Sequence, residues 1–503
     1  MEKQYIIAHD LGTSGNKACL FDEQGNILGC VYETYKTYFG EPGYAEQSPD
    51  DWWTAVKNTT KKVIVESKVN ADQITAISFC AQSLGCIPVD KDGNVLGKRV
   101  MIWMDSRSSR QSQYIFSQYG TRKHYETTGN SFDLSLYPIS KIMWLKENEK
   151  DVYDKTFKFI GTKEYIIFKL TGKLGVTDFS EAGQSGMLNL YKHEYEEDLL
   201  KIAGIDRSKL CEPGNNTQIV GNVLPALEQE TGLTQKTVVV MGTMDNMACA
   251  TGAGCMNQGV FVTNIGTAAW IGVNSNKPLM SPNFQANVFY VGNGVYHTSM
   301  HSHTAGVVFD WVLDNMLLPG NKDYKEIDRM AKEAGLGADK LFFLPSFQSG
   351  NTIFSSVNLS GSLLGLRLHH NKGHILRSIM EGIGFDLMMG VDFYENMGLK
   401  PENIRIIGGA AQSELWRQII ANMLEASIEV PKNMQHIGAL GAAAIAGVAT
   451  GIFKDFSVVD KLVVSSDMTQ PDKESNKKYR KLLPVYRKCY QNVMPIYDEL
   501  ASL

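Results

Sequence analysis

Short apolar runs separated by glycine-containing turns dominate the first forty residues. Residues 5–10 and 17–21 are two such runs, and Gly-Thr-Ser-Gly at residues 12–15 lies between them. A polar turn over residues 22–26 then leads to a third apolar run that begins at Ile27. Runs of this length joined by short glycine turns are typical of antiparallel strands. The pattern therefore predicts a three-stranded meander at the start of the chain.

Longer apolar periodicity follows the meander. Residues 49–69 read as a helix with Asp50 and Asp51 in its first turn, where negative charge complements the helix dipole. Residues 74–80 are another short apolar run and predict a strand. Strands that alternate with helices in this way are typical of α/β proteins.

The second half of the chain repeats the opening pattern. Residues 259–273, GVFVTNIGTAAWIGV, again read as strand, glycine turn and strand. The Ile-Gly-Thr turn at residues 265–267 resembles the Leu-Gly-Thr turn at residues 11–13, and both join two apolar runs. We therefore predict two related domains, residues 1–250 and 251–503, with the boundary near residues 248–258.

The remaining elements of the second half follow from the same patterns. Helices are predicted over residues 372–389, 413–424 and 438–449, and a strand over residues 404–407 leads into Gly408 and Gly409. The tail from Lys473 alternates charged and aromatic residues and predicts an amphipathic surface helix.

Composition excludes several classes of protein. Lys and Arg number 49 against 54 Asp and Glu, so the net charge of −5 argues against a nucleic-acid-binding protein. With 43% hydrophobic and 20% charged residues, the chain has the composition of a folded globular protein. Glycine is the mild outlier, at 46 of 503 residues with only 15 prolines.

Targeting and redox features predict a cytoplasmic location. The first residues show no signal-peptide pattern, and the most apolar stretch, residues 437–453, is shorter than the ~20 residues that a membrane span needs. The eight cysteines contain no C-x-x-C pair. We therefore expect buried free thiols in a reducing compartment.

The segment from Asp10 to Lys17 combines an acid at a strand end with a turn of glycines and hydroxyls. Such a turn can hold a phosphate and its metal ion. It is not a Walker loop, because G-x-x-x-x-G-K-[ST] occurs nowhere in the chain. An ordinary hairpin turn is the alternative. The second Gly266-Thr267 turn favours the phosphate interpretation, since two such turns could hold a polyphosphate from both sides.

A second acid follows another predicted strand. Asp245, with Asn246 after it, comes directly after the apolar residues 237–241. Ligands of α/β proteins bind at the carboxyl ends of strands, where a carboxylate could accept a proton from a substrate hydroxyl. A helix N-cap is the alternative, since Asp is also favoured there.

Two further segments carry weaker signals. Residues 408–413, Gly-Gly-Ala-Ala-Gln-Ser, follow a strand and open a helix, so their backbone could face an anion or a flat ring. Trp103, Asp105 and Arg107 alternate, and in a strand Asp105 and Arg107 would face the same side, where they could bind sugar hydroxyls. Close packing and a surface ion pair are the respective alternatives.

Three histidines, His297, His301 and His303, are spaced so that they could share a strand face. No H-E-x-x-H or cysteine partner completes a metal set. We therefore interpret them as polar core or rim residues.

Taken in order, these segments resemble the FGGY carbohydrate kinases, and the resemblance covers roughly residues 4–450. Residues 10–17 and 264–268 resemble the two phosphate motifs of the family. Residues 408–418 resemble the adenosine motif of the family, and residues 438–443 resemble its late connector between the domains. Residues 138–148 and 365–382 resemble the two signature segments of the family.

The resemblance implies a pair of actin-like, ribonuclease-H-like α/β domains around a cleft for ATP and a sugar. It also implies Mg²⁺- and ATP-dependent phosphorylation of a sugar hydroxyl, with Asp245 as the catalytic base and Asp10 holding Mg²⁺. The implied cofactor-binding residues are Gly12, Thr13, Ser14, Lys17, Gly266, Thr267, Gly408, Gly409, Ala410, Gln412 and Ser413.

The implied sugar-binding residues, Gln82, Trp103, Asp105, Arg107 and Asn246, look most like the xylulose-kinase branch. That branch typically has Gln-Met-His-Gly where this chain has Gln-Ser-Leu-Gly at residues 82–85. We expect a ketopentose such as D-xylulose, with another ketose, a sugar acid or a polyol as alternatives. An actin- or chaperone-like ATPase switch is a rival from another class. The expected partner is a small-molecule sugar, without nucleic acid or membrane, and a homodimer stays open.

Overall fold

Two seven-stranded sheets, together with helices and several smaller sheets, form the described part of the protein. The structure is a computed structural model that describes residues 3–131, 133–256, 259–283, 285–302, 304–318, 320, 322–347, 358–463 and 467–503. We call residues 3–252 the N-lobe and residues 261–503 the C-lobe.

The N-lobe begins with the predicted meander and contains the first sheet. Its strands are β1 (Tyr5–Leu11), β2 (Gly15–Phe21), β3 (Ile27–Thr34), β4 (Tyr38–Phe39), β5 (Ala45–Gln47), β6 (Ile74–Ala81), β7 (Ile87–Val89), β8 (Val100–Met101), β9 (Lys158–Ile160), β10 (Val176–Asp178), β11 (Glu212–Gly214), β12 (Ile219–Asn222), β13 (Val238–Val240) and β14 (Thr243–Met244). Its helices are α1 (Pro49–Ser67), α2 (Ser109–Tyr119), α3 (Thr121–Thr128), α4 (Pro138–Asn148), α5 (Lys150–Lys155), α6 (Thr162–Thr171), α7 (Phe179–Gly183), α8 (Glu197–Ala203), α9 (Glu228–Thr231) and α10 (Asp245–Gly252).

The C-lobe contains the second sheet and the longest helices. Its strands are β15 (Phe261–Ile265), β16 (Ala269–Ser275), β17 (Ala286–Gly292), β18 (Val295–Ser302), β19 (Phe342–Leu344), β20 (Ser362–Leu364), β21 (Asn403–Ile407), β22 (Ser427–Val430) and β23 (Asp467–Thr469). Its helices are α11 (Gly306–Val312), α12 (Tyr324–Glu333), α13 (Lys372–Asn396), α14 (Glu414–Leu424), α15 (Ile437–Thr450), α16 (Val458–Leu462) and α17 (Lys473–Ala501).

The two main sheets share one strand order when the N-lobe sheet is read from β3 to β12 and the C-lobe sheet from β18 to β23. In the N-lobe the order is β12-β13-β6-β1-β2-β3, with β14 also paired to β6. There β1 is antiparallel to β2 and parallel to β6. In the C-lobe the order is β17-β18-β16-β15-β21-β22-β23, and β15 is antiparallel to β16 and parallel to β21. The repeated pattern read from the two Gly-Thr turns therefore reflects a repeated topology.

Helices α10 and α15 pack closely against each other between the two sheets. A Cβ atom on Gly252 would lie 2.0 Å from the carbonyl oxygen of Ile437, and one on Gly441 would lie 1.9 Å from that of Ala248. Only glycine allows backbones to approach this closely. The connector helix α15 thus packs directly on the helix that begins at Asp245.

Most predicted elements are present, with bounds shifted by a few residues. Helix α13 continues to Asn396, seven residues beyond the predicted end at residue 389. The tail helix α17 is amphipathic as predicted, but Tyr479, Tyr486 and Tyr490 on one face are fully buried in the C-lobe core. It therefore contributes to the core rather than lying only on the surface.

The apolar stretch of residues 437–453 forms the buried helix α15 and the turn after it. Across the described residues, the structure contains no helix with the length and apolar character of a membrane span.

The prediction of free thiols is wrong for two cysteines. Cys19 on β2 and Cys30 on β3 are directly opposite each other, with their Cα atoms 4.2 Å apart, and they form a disulfide. The pairing depends on the register of two strands, which the cysteine spacing alone does not reveal. The other six cysteines are free.

Candidate active site

Three neighbouring strand ends bring the predicted acids together. Asp10 on β1 pairs with Cys80 on β6, and Cys80 also pairs with Thr243 on β14. Thr243 lies two residues before Asp245. All three strands are parallel, so their carboxyl ends meet at the same edge of the sheet. The order of the strands therefore places both acids at the same edge of the sheet.

Asp245 is the first residue of α10, and Met244 occupies the N-cap position without a side-chain cap. The helix-cap alternative is thus wrong. The pKa of Asp245 is raised to about 7, mainly by burial and also by the nearby Asp10. The Asn246 N–H, which donates to Oδ1 at 2.7 Å, acts in the opposite direction. A partly exposed carboxylate with a pKa near neutral is suited to accept a proton.

Asp10 is also shielded from water. Burial raises its pKa, while a hydrogen bond with Cys80 and the charge of Lys17 lower it. Gly438 of α15 lies so close that a Cβ atom there would be 3.1 Å from Oδ2 of Asp10. A carboxylate oxygen in this position fits Mg²⁺, which prefers oxygen ligands and binds through one or two carboxylates.

The first glycine turn is held in shape by its surroundings. The Gly12 N–H donates to the Gly15 carbonyl at 3.0 Å, and the Tyr35 hydroxyl donates to the Gly12 carbonyl. Trp103 Nε1 donates to Thr13 Oγ1 at 2.9 Å. Trp103 therefore meets the phosphate turn directly, which places one predicted sugar residue next to a predicted phosphate residue.

The other side chains of this motif have different surroundings. Ser14 is exposed at the tip of the turn. Lys17 donates through Nζ to the Gln435 carbonyl at 2.6 Å, close to the start of α15. Lys17 thus links the first phosphate motif to the connector helix.

Gln47 is a central residue that the sequence patterns missed. Its Nε2 donates to the Thr13 carbonyl at 2.6 Å, and its Oε1 accepts from Gln82 Nε2 at 2.7 Å and from Trp52 Nε1 at 2.9 Å. It joins the phosphate turn to Gln82, which is 2% exposed. An isolated glutamine before a helix carries no motif that would have indicated this role.

Gln82 has one hydrogen-bonding atom left over. Its Nε2 is bound to Gln47, but its Oε1 is buried and has no partner in the described residues. A buried acceptor without a donor is unfavourable by roughly 1–3 kcal/mol. A substrate hydroxyl would satisfy it.

Asp105 and Arg107 do not lie in a strand as expected. They lie in a turn after β8, where Arg107 folds back onto Asp105 with Nε–Oδ1 at 2.9 Å. Arg107 also pairs with Glu46 at 2.7 Å and covers the ring of Tyr44 at 3.5 Å. Asp105 is fully buried and accepts from the Ala45 N–H at 2.8 Å. The pair is a buried ion pair that anchors β5, rather than the surface pair of the alternative.

Leu84 replaces the histidine of the xylulose-kinase pattern and has an unusual backbone. Its φ is +61°, a left-handed value that is uncommon for leucine. Its carbonyl accepts from Lys141 Nζ at 2.8 Å and its N–H donates to Glu181 Oε1 at 3.2 Å. Burial raises the pKa of Glu181 well above its usual value and lowers that of Lys141 to about 8. Buried ionisable groups therefore hold this turn.

The second glycine turn is anchored to the start of α11. The Gly306 N–H donates to the Gly266 carbonyl at 2.7 Å, and the Ala305 N–H donates to the Thr267 carbonyl at 3.0 Å. A Cβ atom on Gly306 would be 2.5 Å from the Gly266 oxygen. The Thr267 side chain is exposed. Hydrogen bonds to the start of α11 thus fix the backbone of the turn, while the Thr267 side chain stays accessible to a ligand such as phosphate.

The predicted adenosine motif begins with a glycine in a left-handed conformation. Gly408 has φ +93°, and a Cβ atom there would be 2.5 Å from the Ile265 carbonyl oxygen at the end of β15. Gly409 has open space at its Cβ position, so a flat ring could approach the backbone there. Ala410 turns its methyl group into the C-lobe core.

The last two residues of this motif differ in their partners. Gln412 is exposed. Ser413 caps α14 by accepting from the Trp416 N–H at 3.0 Å, and it donates to Asp328 Oδ2 at 2.7 Å. Ser413 therefore has a structural task at the start of the helix.

The histidines of β18 act as polar core groups. His297 is buried, contacts Asn274 Oδ1 through Nδ1 at 2.7 Å, and burial lowers its pKa to about 3. His301 lies 2.8 Å from Ser299 Oγ through Nε2. His303 lies outside the described residues.

Family models match both halves of the chain. The N-terminal domain of the FGGY family of carbohydrate kinases matches residues 5–252, and its C-terminal domain matches residues 261–450. The chain belongs to the FGGY family of carbohydrate kinases. It is a sugar kinase, and the predicted actin-like, ribonuclease-H-like fold is confirmed. The rival ATPase switch is therefore wrong.

Relatives of this FGGY kinase carry two different substrate names. The xylulose kinase of Bacillus subtilis is 27% identical over 99% of both chains. The gluconokinase of Bacillus licheniformis is 28% identical over 99% of this chain and 98% of its own length. The gluconate kinase and the ligand-bound xylulose kinase of Lactobacillus acidophilus both superimpose with a TM-score of 0.92 at 27% identity, over 99% of this chain and all of theirs.

Kinases of this family use ATP, generally with Mg²⁺. Residues of the described cleft fit both groups. Asp10 offers a carboxylate oxygen for Mg²⁺, and Gly409 has open space at its Cβ position, where a flat ring could approach the backbone.

Proposed function

We propose that this kinase transfers the γ-phosphoryl group of ATP to a hydroxyl of a ketopentose such as D-xylulose, with Asp245 as the general base. The observation that carries the proposal is the cleft carboxylate of Asp245, next to Asp10, with a pKa raised to about 7. In the reaction, the sugar oxygen forms a bond to the γ-phosphorus and the bond to the ADP oxygen breaks. Asp245 takes the hydroxyl proton, and ADP leaves with the bonding electron pair.

Phosphoryl transfer depends mainly on positioning and on neutralising charge. We assign the phosphates to the two glycine turns, with Gly12, Thr13, Ser14 and Lys17 on one side and Gly266 and Thr267 on the other. Asp10 would hold Mg²⁺, which neutralises phosphate charge when bound.

The base of the nucleotide is assigned to the start of the third motif. Gly408 and Gly409 would lie against it, since the open Cβ position of Gly409 leaves room for a ring. Ala410 and Gln412 would support this surface, and Ser413 would act by holding the start of α14.

The sugar is assigned to the N-lobe side of the cleft. The free Oε1 of Gln82 would accept from a sugar hydroxyl, and Asn246 and Trp103 flank the base and the phosphate turn. Asp105 and Arg107 would act indirectly, because their charges are already paired and hold the segment that carries Trp103.

Charge supports a neutral sugar over a sugar acid. Lys17, Lys141 and Arg107 are each bound by oxygen atoms of the protein. Asp245 and Asp10 would repel a substrate carboxylate. Gluconate stays the second candidate, because gluconokinases resemble this chain as closely as xylulose kinases do.

A substrate panel tests the proposal. ADP release from MgATP would be measured with D-xylulose, D-ribulose, D-gluconate and glycerol. We expect the highest kcat/KM for a ketopentose. A gluconate preference of tenfold or more would contradict the choice of sugar but leave the base assignment intact.

We propose residue 250 as the division between the two domains, as the repeated sequence pattern indicates.

A further inference from the structure

Two cysteines and one histidine meet where the N-lobe sheet touches the connector helix. Cys19 on β2 and Cys30 on β3 face each other across the strands. Nδ1 of His436 lies 3.7 Å from the Cys19 sulfur and 3.6 Å from the Cys30 sulfur. The sulfurs come from the first thirty residues, and the histidine comes from the residue just before α15.

These three atoms form a set that soft metal ions prefer. Thiolate sulfur and imidazole nitrogen are the ligands of tetrahedral Zn²⁺ sites. With Zn–S near 2.3 Å and Zn–N near 2.0–2.1 Å, neighbouring S and N ligands of a tetrahedron are ~3.6 Å apart. The two sulfur-to-nitrogen distances already match this separation, so His436 would need little movement.

We propose that the dithiol form of Cys19 and Cys30, together with Nδ1 of His436, binds a thiophilic divalent metal ion such as Zn²⁺. A thiol or phosphine reductant supplies the two electrons that convert the disulfide to two thiols, which also take up two protons. The thiols release these protons when their sulfurs bind the metal.

Access and position support the site. Cys19 is fully buried, whereas Cys30 and His436 are partly exposed, so an ion and a solvent ligand could enter from that side. The sulfur and nitrogen ligands also distinguish this site from the all-oxygen Mg²⁺ position at Asp10.

The site would tie two parts of the catalytic cleft together. Lys17, two residues before Cys19, already binds the Gln435 carbonyl. Gly438, two residues after His436, lies against Asp10. A bound ion would therefore hold the strand of the first phosphate motif to the start of α15.

Cobalt provides a direct spectroscopic test, since thiolate-bound Co²⁺ absorbs in the near ultraviolet. The full-length protein would be reduced with excess phosphine under native conditions, freed of reductant and metal, and titrated with Co²⁺ and then with Zn²⁺. We expect one Co²⁺ per chain with a thiolate charge-transfer band, and displacement by one Zn²⁺. Cys30→Ser should abolish the band, and His436→Gln should weaken binding at least tenfold.

Cys489→Ser is the matched control, because Cys489 is a free, partly buried thiol on α17, remote in sequence from the site. It should bind Co²⁺ as the wild type does. Folding of each variant would be checked by circular dichroism, and Cys30→Ala provides a second variant if Cys30→Ser is unstable. A band of equal intensity in folded Cys30→Ser or Cys30→Ala would overturn the proposal. So would the lack of a band in fully reduced wild type, or a disulfide that resists the phosphine in the folded protein.

Discussion

Asp245 and Asp386 are two enclosed carboxyl groups, one in each lobe, whose pKa values are both raised to about 7 by burial. They differ in what surrounds them. Asp245 accepts a hydrogen bond from its neighbouring Asn246 N–H and follows directly after the end of β14. Asp386, on α13, accepts from Ser302 Oγ at 2.9 Å and from the hydroxyls of Tyr486 and Tyr490 at 3.1 and 3.4 Å.

A raised pKa alone therefore does not identify a catalytic base. The oxygens of Asp386 are already bound by three hydroxyls, two of which belong to the tail helix α17. Its task is to hold that helix to the C-lobe core. The described hydrogen bond to Asp245 comes from a backbone N–H, and this difference is why we propose Asp245 rather than Asp386 as the base.

Removing the cleft carboxylate should have the largest effect. Asp245→Ala should lower kcat at least ~10³-fold, because general-base catalysis and the placement of the reacting hydroxyl are both lost. ATP affinity should change little, since the nucleotide is assigned to other residues. Sugar-dependent ADP release and equilibrium nucleotide binding would measure the two effects. Near-normal turnover in Asp245→Ala would rule out the base assignment.

Removing the core carboxylate should affect stability instead. Asp386→Ala removes the hydrogen bonds that the carboxyl group makes with three buried hydroxyls, so the free energy of unfolding should fall by about 3 kcal/mol. Chemical denaturation would measure it, and kcat per folded molecule should stay within about twofold. A large loss of kcat in the folded variant would remove the contrast between the two carboxyl groups.

Acidification should separate the two groups again. A protonated Asp245 cannot accept the hydroxyl proton, so kcat/KM should fall about tenfold per pH unit below an apparent pKa of about 7. Asp386→Asn should keep this acid limb, because Asp386 takes no part in proton transfer. A pH profile from 5 to 9 for both proteins checks this, and a flat wild-type profile would count against Asp245.

Protonation should also change stability with a definite sign. Both folded-state pKa values lie above the usual value of 3.8. The folded protein therefore binds these protons more tightly, and their contribution to stability is lost as pH rises through about 7. Asp245→Asn should show less of this loss between pH 5 and 8 in denaturation experiments. An unchanged pH dependence would contradict the raised pKa.

The smallest effect is expected for a single donor to Asp386. Tyr486→Phe removes hydrogen bonds to Asp386 and to the Gly382 carbonyl at 2.9 Å, which should lower the free energy of unfolding by about 1 kcal/mol. Activity should not change. Thermal unfolding would measure the shift, and an equal loss of kcat would connect this network to catalysis.

Local patterns were sufficient for much of the fold. The meander, helices α1, α13 and α15, and the repeated Gly-Thr turns follow from periodicity and turn chemistry over a few residues. Asp10 and Asp245 could each be indicated as an acid at the end of an apolar strand, where α/β proteins bind ligands.

Features that depend on contacts between distant residues could not be predicted. The Cys19–Cys30 pair needs the register of two strands, and Gln47 reaches Gln82 across 35 positions of the chain. Arg107 lies in a turn and folds back onto Asp105, although the spacing of Trp103, Asp105 and Arg107 is also compatible with a strand. Tyr486 meets Asp386 across 100 positions, which no local period reveals.

The most direct test compares two isosteric variants, Asp245→Asn and Asp386→Asn, in sugar-dependent ADP release at saturating MgATP. Each substitution removes one titratable carboxyl and keeps its shape. The account predicts that Asp245→Asn loses at least ~10³-fold in kcat per folded molecule while Asp386→Asn stays within about twofold of the wild type. Similar kcat values for the two variants would contradict it.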